Sequence, residues 1–86
     1  MNSWLDDVSP GQLRMAREGF ASLSPREVEV LRGLCLGDNA AQSGAQLSIS
    51  RRTVELHRGS VLRKLGAKSA VQAVRLVALL ERGAPE

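Results

Sequence analysis

The turn Ser48-Ile49-Ser50, between two predicted helices, constrains the fold of this chain more than any other feature. One helix is predicted to begin after Asn39 and to end near Leu47, and the next begins after Ser50. Asparagine and serine are favoured N-caps because their side chains accept hydrogen bonds from the first helical turn. Two helices joined by so short a turn must cross steeply, so the spacing predicts a helix-turn-helix arrangement.

Another helix begins at Pro25 behind the N-cap Ser24, with Glu27 completing a capping box, and it ends at Gly37. Its apolar residues recur at helical spacing, namely Val28, Leu31, Leu34 and Cys35. We expect Cys35 to be a small buried hydrophobe rather than a reactive thiol, because leucines flank it and no second cysteine exists to form an intrachain disulfide.

The chain shows no strand pattern and no repeat, so its predicted fold class is all-α, with four helices after a short N-terminal segment. We divide it into an N-terminal linker or extra helix over 1–22, a helix-turn-helix domain over 23–83 and a tail over 84–86. The first segment has a helix start at Ser9-Pro10 but a weak apolar pattern, which leaves both alternatives open.

Composition disfavours several classes of function. Aromatic residues make up 2% of the chain, so the core must be aliphatic, and stacking of unpaired bases on aromatic rings is disfavoured. One histidine and one cysteine cannot build a zinc site of the usual kind, and no nucleophile and base have a catalytic spacing. We therefore expect no enzyme, metal, cofactor or small-molecule ligand. Without a long apolar run or a signal-peptide pattern, the chain is expected to be cytoplasmic and free of the membrane.

Positive charge is concentrated in one predicted helix, which runs from about 51 to 65 and stops at Gly66. Residues 51–68 carry six basic side chains against one acid, a net charge of +5, whereas 1–50 sum to −2 and 69–86 to zero. A basic helix on a neutral or slightly acidic body is typical of a surface that faces phosphates.

This basic helix has two distinct sides. At roughly 100° per residue, Val54, Val61 and Leu65 fall together and form a core seam. The opposite side carries arginines with a leucine and a glycine between them: Arg52, Leu56, Gly59 and Arg63. A leucine there could meet a thymine methyl group in the major groove, and a glycine permits close approach to a base edge. A merely solvated basic face is the alternative, which the cap, the short turn and the charge concentration disfavour.

Two ungapped blocks of residues carry a recognisable pattern. The first reads Leu-Ser-Pro-Arg-Glu-Val-Glu-Val-Leu over 23–31, and the second includes Arg-Thr-Val-Glu-Leu-His-Arg over 52–58 and Arg-Lys-Leu-Gly over 63–66. Together they resemble the LuxR/GerE-type (NarL/FixJ) helix-turn-helix domain of bacterial transcription regulators, and look most like the FixJ-type branch of response regulators. The resemblance implies sequence-specific binding of double-stranded DNA, with the recognition helix of about 51–65 in the major groove.

The resemblance also implies roles for single residues. Glu55, Leu56 and Gly59 lie where the family reaches base edges, while other positions hold phosphates or steady the helix: Thr53, His57, Arg58 and Lys64. The predicted DNA-binding set is Arg51, Arg52, Thr53, Glu55, Leu56, His57, Arg58, Gly59, Arg63 and Lys64. Glu55 either accepts a hydrogen bond from cytosine or pairs with Arg51 or Arg58, and His57 either donates to a phosphate or is a half-buried helix residue.

The last predicted helix, which starts at Ser69 and runs to about Arg82, is apolar on nearly every side. With Ala73, Leu76, Val77 and Leu80 facing the core, one strip projects away from it: Val71, Arg75, Ala78 and Arg82. This strip is either exposed or the contact of a symmetric homodimer, and we predict the dimer, which the resemblance also implies. RNA polymerase is a further partner expected of such a regulator.

One segment departs from the family pattern. Where the family has Ser-Asn-Lys-Glu-Ile-Ala, this chain has Asn-Ala-Ala-Gln-Ser-Gly over 39–44. Ala41 replaces a lysine and Ser43 replaces a buried isoleucine, which should loosen the first helix of the motif. The alternative function is therefore a protein-interaction module on the same fold, with weakened or lost DNA binding.

Overall fold

The computed structural model describes residues 8–83, so the parts of the predicted segments over 1–7 and 84–86 lie outside the described residues. Within 8–83 the chain forms helices and no strand, which confirms the all-α prediction. The helices are α1 (Pro10–Ala21), α2 (Pro25–Cys35), α3 (Ala40–Leu47), α4 (Arg51–Leu65) and α5 (Ala70–Glu81). Helix α1 lies within the segment predicted to be a linker or an extra helix.

Each helix begins behind a serine or asparagine whose side chain accepts a backbone hydrogen bond. Ser24 and Glu27 bond reciprocally at the start of α2, as the capping box predicts. Asn39 and Gln42 make the same pair at the start of α3. These bonds satisfy N–H groups that have no partner within the first helical turn, so local sequence determines where the helices begin.

The turn between α3 and α4 depends on a left-handed residue and on a glycine. Ser48 has a φ of 59°, and the N–H of Ile49 donates to the carbonyl of Gly44 at 2.9 Å. A Cβ at Gly44 would lie 2.7 Å from the carbonyl oxygen of Ile49. Glycine weakens an isolated helix, but here it lets the turn fold back closely over α3. The predicted helix-turn-helix is thus formed by α3 and α4.

The core of the domain surrounds α4. Val54, Val61 and Leu65 are buried, which confirms the predicted seam. Apolar residues of α2 and α5 pack against the last two of these, namely Leu31, Ala73 and Val77. The buried apolar residues within 8–83 are all aliphatic, as the composition requires.

The inward face of α2 differs in part from its predicted face: Leu31 is buried and Leu34 packs against the core, but Val28 is exposed. Cys35 is exposed, whereas Val30 and Gly33 are buried, so the expectation of a buried cysteine is wrong. The cause is Glu27, which is buried at the start of the helix and turns the positions three and four residues further along toward the core. Partial burial, together with the negative charge of Glu81, raises the pKa of the Cys35 thiol.

Helix α1 packs on the domain through both α4 and α5. Leu13 and Ala16 are buried against Leu76 of α5. The Gln12 side chain donates to the Gln72 side chain at 3.0 Å. These contacts make α1 part of the folded unit, although its short apolar pattern in the sequence is weak.

Candidate nucleic-acid interface

One long face of α4 projects away from the core. Arg52, Leu56 and Arg63 are exposed on it, and the Leu56 side chain is 59% exposed. A Cβ at Gly59 would meet only Arg63 Nη1, at 3.7 Å, so the surface is shallow between these side chains. The face therefore presents an apolar group and a gap between two cations, while the opposite side of the same helix is buried.

The first turn of α4 is held by its cap and by an ion pair. Ser50 Oγ accepts a hydrogen bond from the N–H of Thr53 at 3.0 Å. Arg51 Nε donates to Glu55 Oε2 at 3.3 Å, so Arg51 is the partner that Glu55 has within residues 8–83. Exposed pairs of this kind contribute about 0.2–1 kcal/mol, so the Glu55 carboxylate can readily accept a different donor.

A polar groove of about 300 Å³ lies beside this ion pair. It is bounded by Arg51 and Glu55 on α4 and by Asn39, Ala40 and Ala41 at the start of α3. The start of α3 brings the positive end of a helix dipole to the same edge as α4. The two helices of the motif thus present one continuous polar edge.

On one flank of α4, the buried carboxylate of Glu27 joins α2 to α4. Lys64 Nζ donates to Glu27 Oε1 at 2.8 Å, and Ser60 Oγ donates to Oε2 at 2.5 Å. The hydrogen bond from Lys64, followed by those from Ser60 and the Ser24 N–H, lowers the pKa of Glu27 from 4.5 to about 2. Glu27 therefore carries a full negative charge at neutral pH, and it holds Lys64 against α2.

On the other flank, Arg58 reaches inward to the turn between α2 and α3. Arg58 Nη2 donates to the backbone carbonyl of Asp38 at 2.8 Å. Arg58 Nε is buried and has no hydrogen-bond partner within residues 8–83. The Arg58 guanidinium is thus bonded within the protein. The family resemblance left open whether this residue holds a phosphate or steadies the helix.

The structure separates the predicted DNA-binding residues into three groups. Exposed members are Arg51, Arg52, Glu55, Leu56 and Arg63; half-buried members are Thr53, His57 and Gly59; members bonded to other elements are Arg58 and Lys64. The sequence did not reveal Ser60 and Asp38 as partners of this network, and it assigned Glu27 only to a cap. Ser60 and Lys64 are four residues apart and so lie on one side of α4. This spacing is the sequence signal that could have indicated a shared partner, which is Glu27.

The outer side of α5 carries the strip predicted to contact a second copy. Val71 is 79% exposed, Ala78 and Arg82 are exposed, and Arg75 is half-buried. Beside this strip, a shallow groove of about 240 Å³ is lined by apolar residues, namely Leu34, Ala70, Val71 and Val74. The opposite side of α5 is buried at Ala73, Leu76 and Val77, while Leu80 is half-buried. An apolar surface therefore remains open on this helix.

Residues 8–83 contain no group of histidine, cysteine and acidic side chains placed to hold a metal ion. Over the same residues, every helix is too short or too polar to cross a membrane.

Comparison with known proteins assigns the chain to a family. Residues 21–77 match the family described as "Bacterial regulatory proteins, luxR family". The transcriptional regulatory protein TdiR of Thauera aromatica is 40% identical over 67% of this chain, and FixJ of Bradyrhizobium diazoefficiens is 43% identical over 65%. The nitrate/nitrite response regulator protein NarP of Escherichia coli is 42% identical over 76%.

The matched regions amount to 26%, 27% and 30% of the lengths of TdiR, FixJ and NarP, so the chain spans under a third of each relative. No solved structure gives a significant match. The family match covers α2 to most of α5, including the whole helix-turn-helix. This chain therefore belongs to the LuxR family of bacterial regulatory proteins.

Proposed function

We propose that this domain binds double-stranded DNA sequence-specifically and regulates bacterial transcription, with α4 as the recognition helix in the major groove. The observation that carries the proposal is the exposed side of α4, where Leu56 lies among arginines on a helix whose other side is buried. The major groove admits one α-helix, and side chains on its outer face reach the base edges. Family membership supports the same function.

Sequence is read, in this proposal, by Glu55, Leu56 and Gly59. The Leu56 side chain meets a thymine methyl group, and Glu55 accepts a hydrogen bond from the amino group of cytosine. Arg51, paired with Glu55 at 3.3 Å, offsets the repulsion between that carboxylate and the DNA phosphates. Gly59 lets the helix lie close to the bases because no side chain separates them there.

Affinity comes mainly from phosphates. Arg52 and Arg63 are exposed at the two ends of the face, and neither makes a hydrogen bond or ion pair within residues 8–83. Thr53 and His57 lie one helical turn apart along one flank of α4, and there they contact the sugar-phosphate backbone of one DNA strand. Because such contacts release counterions, binding falls steeply as salt rises.

A second copy binds, we propose, through the strip on α5. Val71 is the most exposed large apolar residue of the described chain, and the groove lined by Val71 and Val74 adjoins it. A symmetric dimer would place two recognition helices on half-sites about one helical turn apart. A contact limited to this strip would be small, so DNA is expected to promote dimer formation.

The alternative is a protein-interaction module that keeps the fold. An apolar groove of about 300 Å³, lined in part by Phe20, Val77 and Leu80, is the observation in its favour. Against it, the departing segment that begins at Asn39 still forms a helix with a complete capping box, so its changes have not unfolded the motif. DNA binding remains the better supported function.

Selection of bound duplexes from a random pool, followed by sequencing, tests the proposal. We expect enrichment of one motif, and we expect binding of the enriched duplex to weaken by orders of magnitude between about 50 and 300 mM salt. Replacing Arg52 or Arg63 with glutamine should weaken binding to all duplexes, whereas Arg14→Gln on the exposed side of α1 should not. Absence of any enriched motif, together with a captured protein partner, would favour the alternative.

A further inference from the structure

We propose that Arg58 and Lys64 are positioning residues, which set the rotation of α4 against α2 and do not contact DNA phosphates. The inference rests on the proposed function, because it concerns how the recognition helix is presented. Two contacts carry it, and we call them the two tethers. The first joins Lys64 and Ser60 to Glu27, and the second joins Arg58 to the carbonyl of Asp38.

The two tethers lie at opposite ends of α2. Glu27 is in the first turn of this helix, and Asp38 lies in the turn that follows its last residue, Cys35. With 11 residues, α2 is about 16 Å long at a rise of about 1.5 Å per residue. Contacts separated by this length hold α4 at two points, so they resist a change in the crossing angle of the two helices.

The tethers also lie on opposite flanks of α4. At roughly 100° per residue, Arg58 is about 40° to one side of Val54 and Lys64 is about 80° to the other. Rotation of α4 about its own axis in either direction would therefore stretch one of the tethers. Because Leu56 is on the same rigid helix, the tethers determine the direction in which its side chain points.

Neither cation is free to move to a phosphate without loss. Removing Lys64 would leave the Glu27 carboxylate, whose side chain is 7% exposed, without its counter-charge. Removing Arg58 would leave the Asp38 carbonyl without the donor that Nη2 now provides at 2.8 Å. Arg52 and Arg63 have no such partners within residues 8–83, so they contact phosphates at no internal cost.

The salt dependence of binding separates a positioning residue from a phosphate contact. Each phosphate contact contributes about 0.9 to the slope of log affinity against log salt concentration, so Arg52→Gln should reduce the slope by about that amount. Arg58→Gln should weaken binding of the selected duplex about tenfold while changing the slope by less than about 0.3. Arg58→Lys keeps the charge but lacks the guanidinium fork, so it should not restore binding. A slope reduced by about 0.9, or full rescue by lysine, would overturn the role of Arg58.

A double-mutant cycle tests Lys64 through its partner. Lys64→Met should weaken binding of the selected duplex in the wild-type background but have little further effect in a Glu27→Gln background, because glutamine has no charge to pair with Lys64. An equal fold-loss of affinity in both backgrounds would show that Lys64 acts on DNA and not through Glu27.

Base preference distinguishes positioning from simple loss of stability. We expect Arg58→Gln to reduce the ratio of affinities for the selected duplex and for one changed at the Leu56 contact. A variant that is only less stable would bind both duplexes more weakly by the same factor, which would overturn the proposal.

If the wild-type domain enriches no duplex, the proposed function fails, and the tethers are then tested on the free protein. The N–H of Asp38 donates to the backbone carbonyl of Gly33 at 2.9 Å, and the carbonyl of the same residue, Asp38, accepts from Arg58. Hydrogen exchange at this amide should be faster in Arg58→Gln and unchanged in Arg52→Gln. Unchanged exchange in both variants would show that the Arg58 tether holds nothing in place.

Discussion

A Cβ atom on Gly19 of α1 would overlap the carbonyl oxygen of Lys64, in the last turn of α4. The two helices cross at this point with no room for a side chain, so their backbones are in direct contact. The closest approach of α1 to α4 is therefore made at a glycine, which no apolar pattern reveals. This close crossing also places α1 beside the end of α4.

Gly19→Ala should destabilise the domain by about 3 kcal/mol, because overpacking of this kind forces the backbone to shift. Gly11→Ala is the matched control in the same helix, since a Cβ there meets only Arg14 at 3.7 Å and Ser9 at 3.9 Å. The control should be neutral or stabilising by up to about 1 kcal/mol. Urea unfolding measures both, and equal effects would show that α1 does not cross α4 so closely.

Gly33 and Ser43 should be energetically coupled. The Ser43 hydroxyl is buried without a hydrogen-bond partner in the described residues, and a Cβ at Gly33 would lie 2.6 Å from it. Ser43→Ala should stabilise the domain by about 1 kcal/mol, because it removes an unsatisfied polar group. Gly33→Ala should cost about 1–3 kcal/mol in the wild type.

In the Ser43→Ala background, the same change at Gly33 should become neutral or stabilising by up to about 1 kcal/mol, since alanine favours the helix. The nearest atom would then be the Cβ of residue 43, at an ordinary 3.7 Å. Unfolding free energies of the four proteins measure the coupling. If the effects of the two substitutions on the unfolding free energy were strictly additive, the Ser43 hydroxyl would not be the group that excludes a side chain from position 33.

The contribution of Glu27 to stability should depend on pH. Its pKa in the folded protein is lowered from 4.5 to about 2, so the unfolded chain takes up a proton first as pH falls. The stabilising effect is complete above pH 4.5 and is lost as pH falls toward about 2. The stability advantage of the wild type over Glu27→Gln should therefore shrink over this range. A difference that stays constant across the range would contradict the ion pair with Lys64.

Leu56→Ala should change base preference at one position of the half-site. Losing a good apolar contact with a thymine methyl group should reduce discrimination by about 1–3 kcal/mol at that base pair, with little change in salt dependence. Leu36→Ala is the control, because Leu36 is 67% exposed and lies outside α4. Duplex selection with each variant measures the effect. An unchanged motif for Leu56→Ala would mean that another side of α4 faces the bases.

Val71→Glu should prevent two copies from binding together on DNA. A charge on this 79% exposed residue would be buried unpaired in the proposed symmetric contact, where it would meet its own counterpart. Leu36→Glu is a control of similar exposure, just beyond the end of α2. Sedimentation with the selected duplex should show two copies for the control and one for Val71→Glu. Two copies for both variants would place the dimer contact elsewhere.

Local sequence determined most of the secondary structure. Caps such as Ser24 and Asn39 and the left-handed Gly66 define helix ends through bonds within a few residues, so their effects can be read without knowing the fold. The seam of Val54, Val61 and Leu65 was equally accessible, because a helical period alone brings these residues together. The inward face of α2 could not be predicted in this way, because it includes the buried carboxylate of Glu27, whose partner Lys64 lies 37 residues further along the chain.

The helices, the helix-turn-helix and the two-sided, strongly basic helix α4 could all be predicted from local sequence, because caps, turns and helical periodicity act over a few residues. Which basic residues of α4 are available to a ligand depends instead on how the helices pack. Arg52 and Arg58 are both arginines of α4 and are six positions apart, yet Arg52 is exposed whereas Arg58 is hydrogen-bonded to the backbone of Asp38. The difference arises because a long cationic side chain binds whichever acceptor the packed helices place within its reach, and packing is not a local property.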